Sequence, residues 1–364
     1  MSIKKSDLLI GGEIGPPSSG RYYPLHSPVD SGLVAEVADA AAADVDRAVA
    51  AAREAFYAEW KFCSVERKRA LFAKLKEALY AMADELSAAK VQPPGGVGIP
   101  PLIERVIDYY VSKLDDGAGT LIEHGDQGTN YVYKEPLGVV AIFVPFNGPM
   151  LGALLSAVPA LVAGNTIVVK APDQEAPQAL KAMQAFHEAG FPAGVVNALS
   201  GKGPEVGQAL VAHPATRLIS FTGSTATGKK IMAAAAGDLK RVQLNLGSKT
   251  AQIVFPDADL EAAATATVGS GFPGQACSAI SRVLLHRSVR DEFIALLKEK
   301  AQAAGPSMLI DGAAIERVER YVEMGNAQGE LLFGGRRPHG AEYAQGCYFE
   351  PTAFAAYGTF FTSQ

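Results

Sequence analysis

Short runs of apolar residues alternate with helix-like stretches from residue 137 onward, and this pattern limits the possible folds more than any other feature of the chain. Four runs predict strands: Val139–Val144, Thr166–Lys170, Val195–Leu199 and Leu218–Phe221. Apolar residues fill successive positions of these runs rather than every second one, which is typical of strands covered on both faces. The alternation therefore predicts an α/β fold with a parallel sheet between two layers of helices.

A second alternation of the same kind begins after Lys249. It predicts strands at Ile253–Phe255 and Arg282–Leu285, with helices at Leu260–Val268 and Val289–Ala301. A chain of 364 residues is longer than one ordinary domain. We therefore expect two or three domains, each of α/β type.

The region before the first sheet predicts two helices. Val45, Val49 and Ala52 recur at helical spacing behind Asp44, which we expect to be the N-cap of the first helix. Ser64 is the expected N-cap of the second helix. The apolar residues of that second helix, which we expect to pack in the core, are Leu71, Leu75, Leu79, Met82 and Leu86.

Composition argues against several classes of partner. The formal net charge is −5, and nucleic acid or an anionic membrane would favour basic patches. The longest apolar region, residues 137–163, contains Asn147, Pro149 and Pro159, so it fits a buried strand and helix better than a membrane span. Three cysteines without a CxxC pair suit neither a disulfide framework nor a zinc site. We expect no metal and a reducing, cytoplasmic setting.

The loops after the predicted strands are the first places to look for a site, because ligands of parallel sheets bind beyond the carboxyl ends of the strands. Phe221–Gly228 joins a strand to a helix. Gly223 permits a tight turn there, and the free amides of the helix start suit a pyrophosphate, together with the Ser224 hydroxyl. The spacing is not GxGxxG, so an ordinary glycine-rich turn explains this segment equally well.

Lys170 and Asp173 leave the end of another buried strand. A lysine and an acid at this spacing could hold ribose hydroxyls, and the acid would repel a 2′-phosphate. A solvated lysine at a strand end is the simpler interpretation when the pair is considered alone.

Two further residues have the chemistry of a reaction centre. Asn147 lies between Pro145 and Pro149, and a rigid side-chain amide of this kind can stabilise an oxyanion. The commoner role of asparagine is to bond its own backbone in a turn. Cys277 has polar and glycine-containing flanks, which suit an accessible thiolate, although an isolated cysteine is more often a small buried apolar residue.

Taken together, the four segments resemble the aldehyde dehydrogenase superfamily in type and in order. They are Pro145–Pro149, Gly164–Asp173, Phe221–Gly228 and Gly274–Arg282. The resemblance runs from the N-terminal helices to Tyr348–Thr352. It implies a Rossmann-like cofactor domain of residues 1–117 and 137–245, an oligomerisation hairpin of residues 118–136, and a second α/β, catalytic domain of residues 246–364.

The resemblance also implies a mechanism. Cys277 would attack an aldehyde carbonyl as a thiolate, and Asn147 with the backbone amide of Cys277 would hold the oxyanion. The implied cofactor is NAD, with NADP less favoured because of the acid at Asp173, and the implied partner is a small-molecule aldehyde. The residues that match cofactor contacts of the family are Phe146, Lys170, Asp173, Gly203, Gly223, Ser224 and Gly228.

One departure affects the expected reaction. Hydrolytic members of the family carry a glutamate general base at the head of an E-L-G-G-K segment, whereas this chain reads Asn245-Leu-Gly-Ser-Lys249. Asparagine cannot take a proton from water. Three hypotheses therefore stay open: NAD-dependent oxidation of an aldehyde to an acid, transfer of the acyl group to coenzyme A, or an impaired homologue with a binding or structural role.

Two further expectations concern the size and assembly of the protein. The resemblance ends near Gln364, whereas the family continues, so two explanations stay open: a degenerate homologue that is truncated at its C-terminus, or a sequence that omits segments of a longer chain. Thr120–Tyr133 predicts two strands around Gly125–Gly128. This hairpin resembles the oligomerisation excursion of the family and implies a homodimer or a homotetramer.

Overall fold

The computed structural model describes residues 4–91, 101–117, 119–271 and 274–355. The chain divides into two compact units. The first unit consists of Met1–Leu25 and Val34–Leu246, and the second consists of His26–Leu33 and Gly247–Gln364. The assignment of a cofactor role to one part of the chain and a catalytic role to the other stays a prediction.

The elements of the chain up to residue 246 form the larger part of the fold. The strands are β1 (Lys4–Ser6), β2 (Leu8–Ile10), β3 (Glu13–Gly15), β4 (Tyr22–His26), β5 (Leu33–Ala38), β6 (Thr120–Glu123), β7 (Thr129–Val132), β8 (Val139–Phe143), β9 (Thr166–Lys170), β10 (Val196–Leu199), β11 (Thr216–Gly223) and β12 (Arg241–Leu246). The helices are α1 (Ala42–Ala58), α2 (Val65–Ala81), α3 (Ala83–Ala88), α4 (Pro101–Ser112), α5 (Pro149–Val162), α6 (Ala176–Glu188), α7 (Gln208–Ala212) and α8 (Thr225–Ala236).

The main sheet confirms the predicted α/β class. Among the described residues it has seven strands in the order β12-β11-β8-β9-β10-β2-β3. The five strands from β12 to β10 are parallel, and the pairs β10–β2 and β2–β3 are antiparallel. The carboxyl ends of the parallel strands meet at one edge of the sheet, and this edge carries the loops that the sequence singles out.

Both faces of the central strands β8, β9 and β10 are buried, as the continuous apolar runs predict. Val140 and Ile142 of β8 pack into a core with side chains of α2, α5 and α6. Val139 and Ala141, the alternate residues of β8, pack into a second core with side chains of α1, α7 and α8. Because successive side chains of a strand point to opposite faces, helices on both sides require apolar residues at every position.

The two N-terminal helices begin differently from each other. Ser64 caps α2 as predicted, since its side chain accepts a hydrogen bond from the Arg67 amide at 3.2 Å. The prediction for Asp44 was wrong, because Ala41 is the N-cap of α1. Asp44 lies in the first turn and accepts from the Ala41 amide at 2.9 Å and from the Ser18 amide at 2.9 Å. A buried carboxylate three residues inside the helix thus satisfies amides outside it.

The predicted hairpin is present. β6 and β7 pair antiparallel from Thr120 opposite Val132 to Glu123 opposite Thr129, and every residue of both strands is exposed. β5 and β12 are among the strands that were not predicted. β12 pairs parallel with β11 and places Asn245 opposite Thr222.

The second unit contains shorter sheets. Its strands are β13 (Thr250–Val254), β14 (Ile280–Leu285), β15 (Ser307–Met308), β16 (Glu330–Phe333), β17 (Tyr348–Phe349) and β18 (Ala353–Ala355), and its helices are α9 (Leu260–Gly271), α10 (Arg290–Ala304) and α11 (Gly312–Gln328). β13 and β14 are parallel. Val254, Ala264, Phe293 and Leu297 form a core between this pair and the helices α9 and α10.

No helix within the described ranges combines the length and the apolar character that crossing a membrane requires.

Candidate cofactor and thiol sites

Lys170 and Asp173 form an ion pair at the carboxyl end of β9. The lysine side chain is 8% exposed, whereas the aspartate side chain is 41% exposed. The aspartate therefore neutralises a buried cation and still presents carboxylate oxygen to solvent. An accessible carboxylate at this edge of a parallel sheet is able to accept hydrogen bonds from the hydroxyls of a ribose.

Tyr23 of β4 supports the loop that carries this pair. Its hydroxyl donates a hydrogen bond to the backbone carbonyl of Asp173 at 3.1 Å, across 150 residues of sequence. Burial raises the pKa of Tyr23, and the nearby carboxylates of Asp173 and Asp39 raise it further, so the hydroxyl keeps its proton and stays a donor. Nothing in the sequence indicates this contact, because it depends on the fold.

The loop after β10 is held by backbone contacts. The Ser200 hydroxyl donates to the carbonyl of Ala38 at 2.6 Å, and the Ser200 carbonyl accepts from the Ala40 amide at 3.3 Å. Gly201 has a φ of +125°, which only glycine adopts without strain. Gly203 then starts a π-helical turn that leads into α7, and a Cβ on Gly203 would meet nothing within 4 Å. This glycine therefore faces open space.

The turn between β11 and α8 uses its polar residues for its own structure. The Ser224 side chain accepts from the Thr227 amide at 3.2 Å and so caps α8. A Cβ on Gly223 would lie 2.5 Å from the Phe221 ring, so the close approach of that ring explains the glycine. The Thr227 amide at the start of α8 is thus satisfied by Ser224.

Gly228 of α8 is buried, and a Cβ there would lie 2.6 Å from a methyl group of Leu246 on β12. Close packing of a helix on a strand explains this glycine. Gly228 would therefore affect cofactor binding only indirectly, because it allows α8 to pack close to β12.

The turn between β8 and α5 contains the other predicted residues. Pro149 is the first residue of α5, and the Gly148 carbonyl accepts from the Gly152 amide at 2.7 Å. Asn147 is exposed just before this helix start, and Phe146 is half-buried. Asn245 is exposed on β12. In the described part of the chain β12 is the edge strand of the parallel sheet and pairs with β11.

Cys277 belongs to the second unit and is exposed just before β14. Its backbone carbonyl accepts a hydrogen bond from the Ser248 hydroxyl at 3.0 Å. Gln275 bonds the backbone around β15 twice, because its side chain donates to the Met308 carbonyl at 3.0 Å and accepts from the Ile310 amide at 2.9 Å. Sequence reasoning missed both supporting residues, although Ser248 stands at a glycine of the E-L-G-G-K pattern.

The structure therefore groups part of the predicted site. Four neighbouring strands of one parallel sheet carry predicted residues at the edge where their carboxyl ends meet: Lys170 and Gly223 end β9 and β11, and Asn147 and Gly203 lie in the loops after β8 and β10. Cys277 lies in the other unit. Within the described ranges no three His, Cys, Asp or Glu side chains come together in a way that could hold a metal ion.

Comparison with known proteins identifies the class. The sequence profile of the aldehyde dehydrogenase family matches residues 16–359. The chain belongs to the aldehyde dehydrogenase family, whose members are NAD(P)-dependent oxidoreductases that act on aldehydes.

Two relatives agree with this class. Hydroxyisobutyraldehyde dehydrogenase of Mycolicibacterium austroafricanum is 35% identical over 370 residues, which cover 97% of this chain and 73% of the relative. The NADP/NAD-dependent aldehyde dehydrogenase PuuC of Escherichia coli is 35% identical over 350 residues, covering 90% of this chain and 71% of PuuC.

Solved structures are similar over the same range. Gamma-glutamyl-gamma-aminobutyraldehyde dehydrogenase of Burkholderia cenocepacia has a TM-score of 0.91 at 36% identity, covering 98% of this chain and 76% of that one. PnpE, a protein of Pseudomonas sp., has been solved in complex with nicotinamide adenine dinucleotide. That complex has a TM-score of 0.88 at 36% identity and covers 96% of this chain and 75% of PnpE.

Proposed function

We propose that this protein oxidises an aldehyde through a covalent intermediate on Cys277. The observation that carries the proposal is the exposed thiol of Cys277 within Gly-Gln-Ala-Cys, in a chain that belongs to this family. Cys63 and Cys347 are half-buried, and burial raises the pKa of both thiols. Neither of these two is therefore as well suited to act as a nucleophile at neutral pH.

The reaction follows from thiolate chemistry. The Cys277 sulfur forms a bond to the carbonyl carbon, and the oxygen takes up the negative charge. The Cys277 backbone amide would donate a hydrogen bond to that oxygen and stabilise it. When the oxyanion collapses, the carbon loses hydride and a thioester to Cys277 remains. Bound NAD supplies the hydride acceptor.

A burst experiment tests the nucleophile. Mixing the protein with NAD and an aldehyde panel should give a rapid burst of NADH close to one equivalent, and Cys277→Ser should abolish it. Cys63→Ala and Cys347→Ala are the matched controls and should keep the burst. A full burst from Cys277→Ser would overturn the proposal, and no burst from the unaltered protein with any aldehyde would favour a binding or structural role.

The proposed cofactor is NAD rather than NADP. The residues present fit the adenosine half of such a cofactor, since Asp173 offers an accessible carboxylate to ribose hydroxyls and α8 offers amides to a pyrophosphate. A 2′-phosphate would bring negative charge against Asp173. The further contacts that we propose are with Phe146, Gly203, Gly223 and Ser224.

A second candidate reaction is acyl transfer to coenzyme A, and the observation that favours it is Asn245. An amide cannot activate water, whereas the thiol of coenzyme A ionises readily and needs a weaker base. Steady-state turnover should then rise on addition of coenzyme A. Asn245→Glu should raise turnover without coenzyme A if a general base is what hydrolysis lacks, and turnover unchanged by either treatment would exclude both explanations.

We also propose that the protein assembles as a homodimer or homotetramer through the β6–β7 hairpin, whose apolar side chains are exposed. Leu121 is 53% exposed and Tyr131 is 64% exposed. A two-stranded hairpin is only marginally stable by itself in water, so a hairpin with exposed apolar side chains gains stability from a partner.

The three free thiols favour a reducing compartment such as the cytoplasm.

A further inference from the structure

We infer that Ser248 is a positioning residue for Cys277, and this inference rests on the proposed function. The Ser248 hydroxyl holds the backbone carbonyl of Cys277 at 3.0 Å. Through that carbonyl it orients the peptide that follows Cys277 and so restrains the ψ rotation of Cys277. The contact of Ser248 is with the backbone of Cys277, so in this proposal Ser248 acts through the position of the cysteine.

The two residues meet because their strands are parallel neighbours. The register of β13 and β14 begins with Thr250 opposite Ile280. Ser248 lies two residues before that point and Cys277 lies three residues before it, so both belong to the segments that enter the sheet side by side. A side chain on one segment can therefore reach the backbone of the other.

A neighbouring contact reinforces this junction. The Arg282 guanidinium donates to the Lys249 carbonyl at 3.0 Å. This bond ties the segment that carries Ser248 to β14. The Ser248 hydroxyl thus extends from a backbone segment that is itself fixed.

Gln275 holds the other side of the cysteine. Its side-chain amide bonds both the Met308 carbonyl and the Ile310 amide, which ties the backbone two residues before Cys277 to a neighbouring strand. The backbone is therefore fixed before Cys277 by Gln275 and after it by Ser248. With both flanks held, few backbone rotations remain for the two peptides between them, and the Cys277 amide keeps one direction.

The expected effect of this restraint is on the rate of the chemical step. A preorganised donor stabilises the oxyanion as it forms and contributes little to binding of the uncharged aldehyde. A glycine at position 248, as in the E-L-G-G-K pattern, offers no such hydroxyl. Loss of the Ser248 hydroxyl should therefore lower the burst rate and leave KM nearly unchanged.

The test compares Ser248→Ala and Ser248→Thr with a matched control, Ser281→Ala. Ser281 is also exposed, and its hydroxyl joins the same two segments without touching Cys277. Ser248→Ala should slow the NADH burst about three- to tenfold, the range expected for loss of one neutral hydrogen bond. Ser248→Thr should restore the rate, and Ser281→Ala should leave it within about twofold of the original.

Alkylation of Cys277 by iodoacetamide gives a readout that separates positioning from general damage. The rate of alkylation reports the thiolate and needs no oxyanion donor, so Ser248→Ala should leave it nearly unchanged while the burst slows. An unchanged burst in Ser248→Ala, an equal loss in Ser281→Ala, or a parallel fall in alkylation would each overturn the inference. If Cys277→Ser retains the burst, the proposed function itself fails, and the two failures are thus distinguishable.

Discussion

The ion pair at the end of β9 gives the most direct view of how single residues prepare a cofactor site. Lys170 is nearly buried, and burial of an unpaired ammonium would be costly. Asp173 removes that cost and keeps exposed carboxylate oxygen for a ligand. The same acid therefore stabilises the loop and, in our proposal, selects NAD.

Asp173→Asn should weaken NAD binding. The variant keeps the size of the side chain and loses the charge that accepts from ribose hydroxyls, so we expect the Kd for NAD to rise about tenfold, the range for a hydrogen bond to a charged group. The Kd for NADP should change less or fall. Titration calorimetry with both cofactors measures the ratio.

Asp173→Glu is the matched control for that experiment, because it keeps the carboxylate. It should bind NAD close to the original affinity. Equal affinities of Asp173→Asn and Asp173→Glu for NAD would show that the carboxylate does not contact the cofactor.

The sequence pointed to some of the residues discussed above and not to others. Lys170 and Asp173 could be singled out because a lysine and an acid stand at the end of an apolar strand. Tyr23, Gln275 and Ser248 could not, since each acts on backbone that is distant in sequence or across a strand register. Asp44 is intermediate: its type predicts a helix start, but whether it is the N-cap or lies three residues inside the helix depends on which amides the fold leaves unpaired.

At the scale of elements, the approach of α8 to β12 depends on one missing side chain. A Cβ on Gly228 would lie 2.6 Å from Leu246, which real contacts do not allow. Gly228→Ala should therefore lower the stability of the first unit by about 1 kcal/mol, because the partly buried Leu246 side chain must shift to admit the added methyl group. Thermal unfolding followed by circular dichroism measures the change.

Gly237 offers a matched control at the other end of the same helix. It has an ordinary φ of −60°, and a Cβ there would meet nothing within 4 Å. Gly237→Ala should leave the melting temperature unchanged or raise it slightly. If both alanine variants melt at the same temperature, close packing is not what requires glycine at position 228.

The end of α7 contains a group that should make stability depend on pH. Burial lowers the pKa of His213 from its ordinary value of 6.5, against the opposing effect of Asp46. Its Nδ1 accepts a hydrogen bond from the Ala215 amide at 3.1 Å, which requires that nitrogen to be unprotonated. The neutral ring is therefore the form that fits the fold.

The sign of the pH effect follows from this lowered pKa. As pH falls below 6.5, the unfolded chain takes up a proton at His213 before the folded chain does. The contribution of His213 to stability is complete above that pH and is lost as pH falls through the folded pKa. Melting temperatures from about pH 7 to pH 5 should fall more steeply for the original protein than for His213→Asn.

His187→Asn is the control for that comparison, since His187 is exposed in the last turn of α6. It should follow the pH dependence of the original protein. A slope that His213→Asn leaves unaltered would contradict the assignment of the effect to His213.

Elements buried on both faces were the ones that the sequence predicted best. β9 begins and ends at the residues expected for it, because Thr166–Lys170 is buried throughout and its apolar run has clear ends. β12 was missed because it lies at the edge of the sheet, where exposed and partly buried residues alternate and the run has no continuous apolar character. An edge strand is fixed by its neighbour more than by its own composition.

At the scale of the whole molecule, alternation along the chain was sufficient to predict the α/β class. Parallel strands need crossover connections, and helices are the usual ones, so the pattern has few other solutions. The division after Leu246 was harder to predict in detail, because residues His26–Leu33 belong to the second unit although they lie far from it in sequence. Membership of this kind depends on long-range packing that no local pattern contains.

The hairpin poses the remaining question at this scale, since none of its strand residues is buried by the rest of the described chain. If a second copy covers the hairpin, a charged side chain at position 121 should weaken the assembly without lowering the stability of the fold. Leu121→Asp should reduce the mass measured by light scattering after size-exclusion chromatography, with little change in melting temperature of the separated protomer.

Leu239→Asp introduces the same charge at an apolar residue that is 90% exposed elsewhere. That control should keep the original mass, because a solitary exposed leucine marks no interface. Equal masses for Leu121→Asp and the original protein would instead mean that β6 and β7 are stable as an isolated, solvated hairpin, and the assembly surface would have to lie on another part of the molecule.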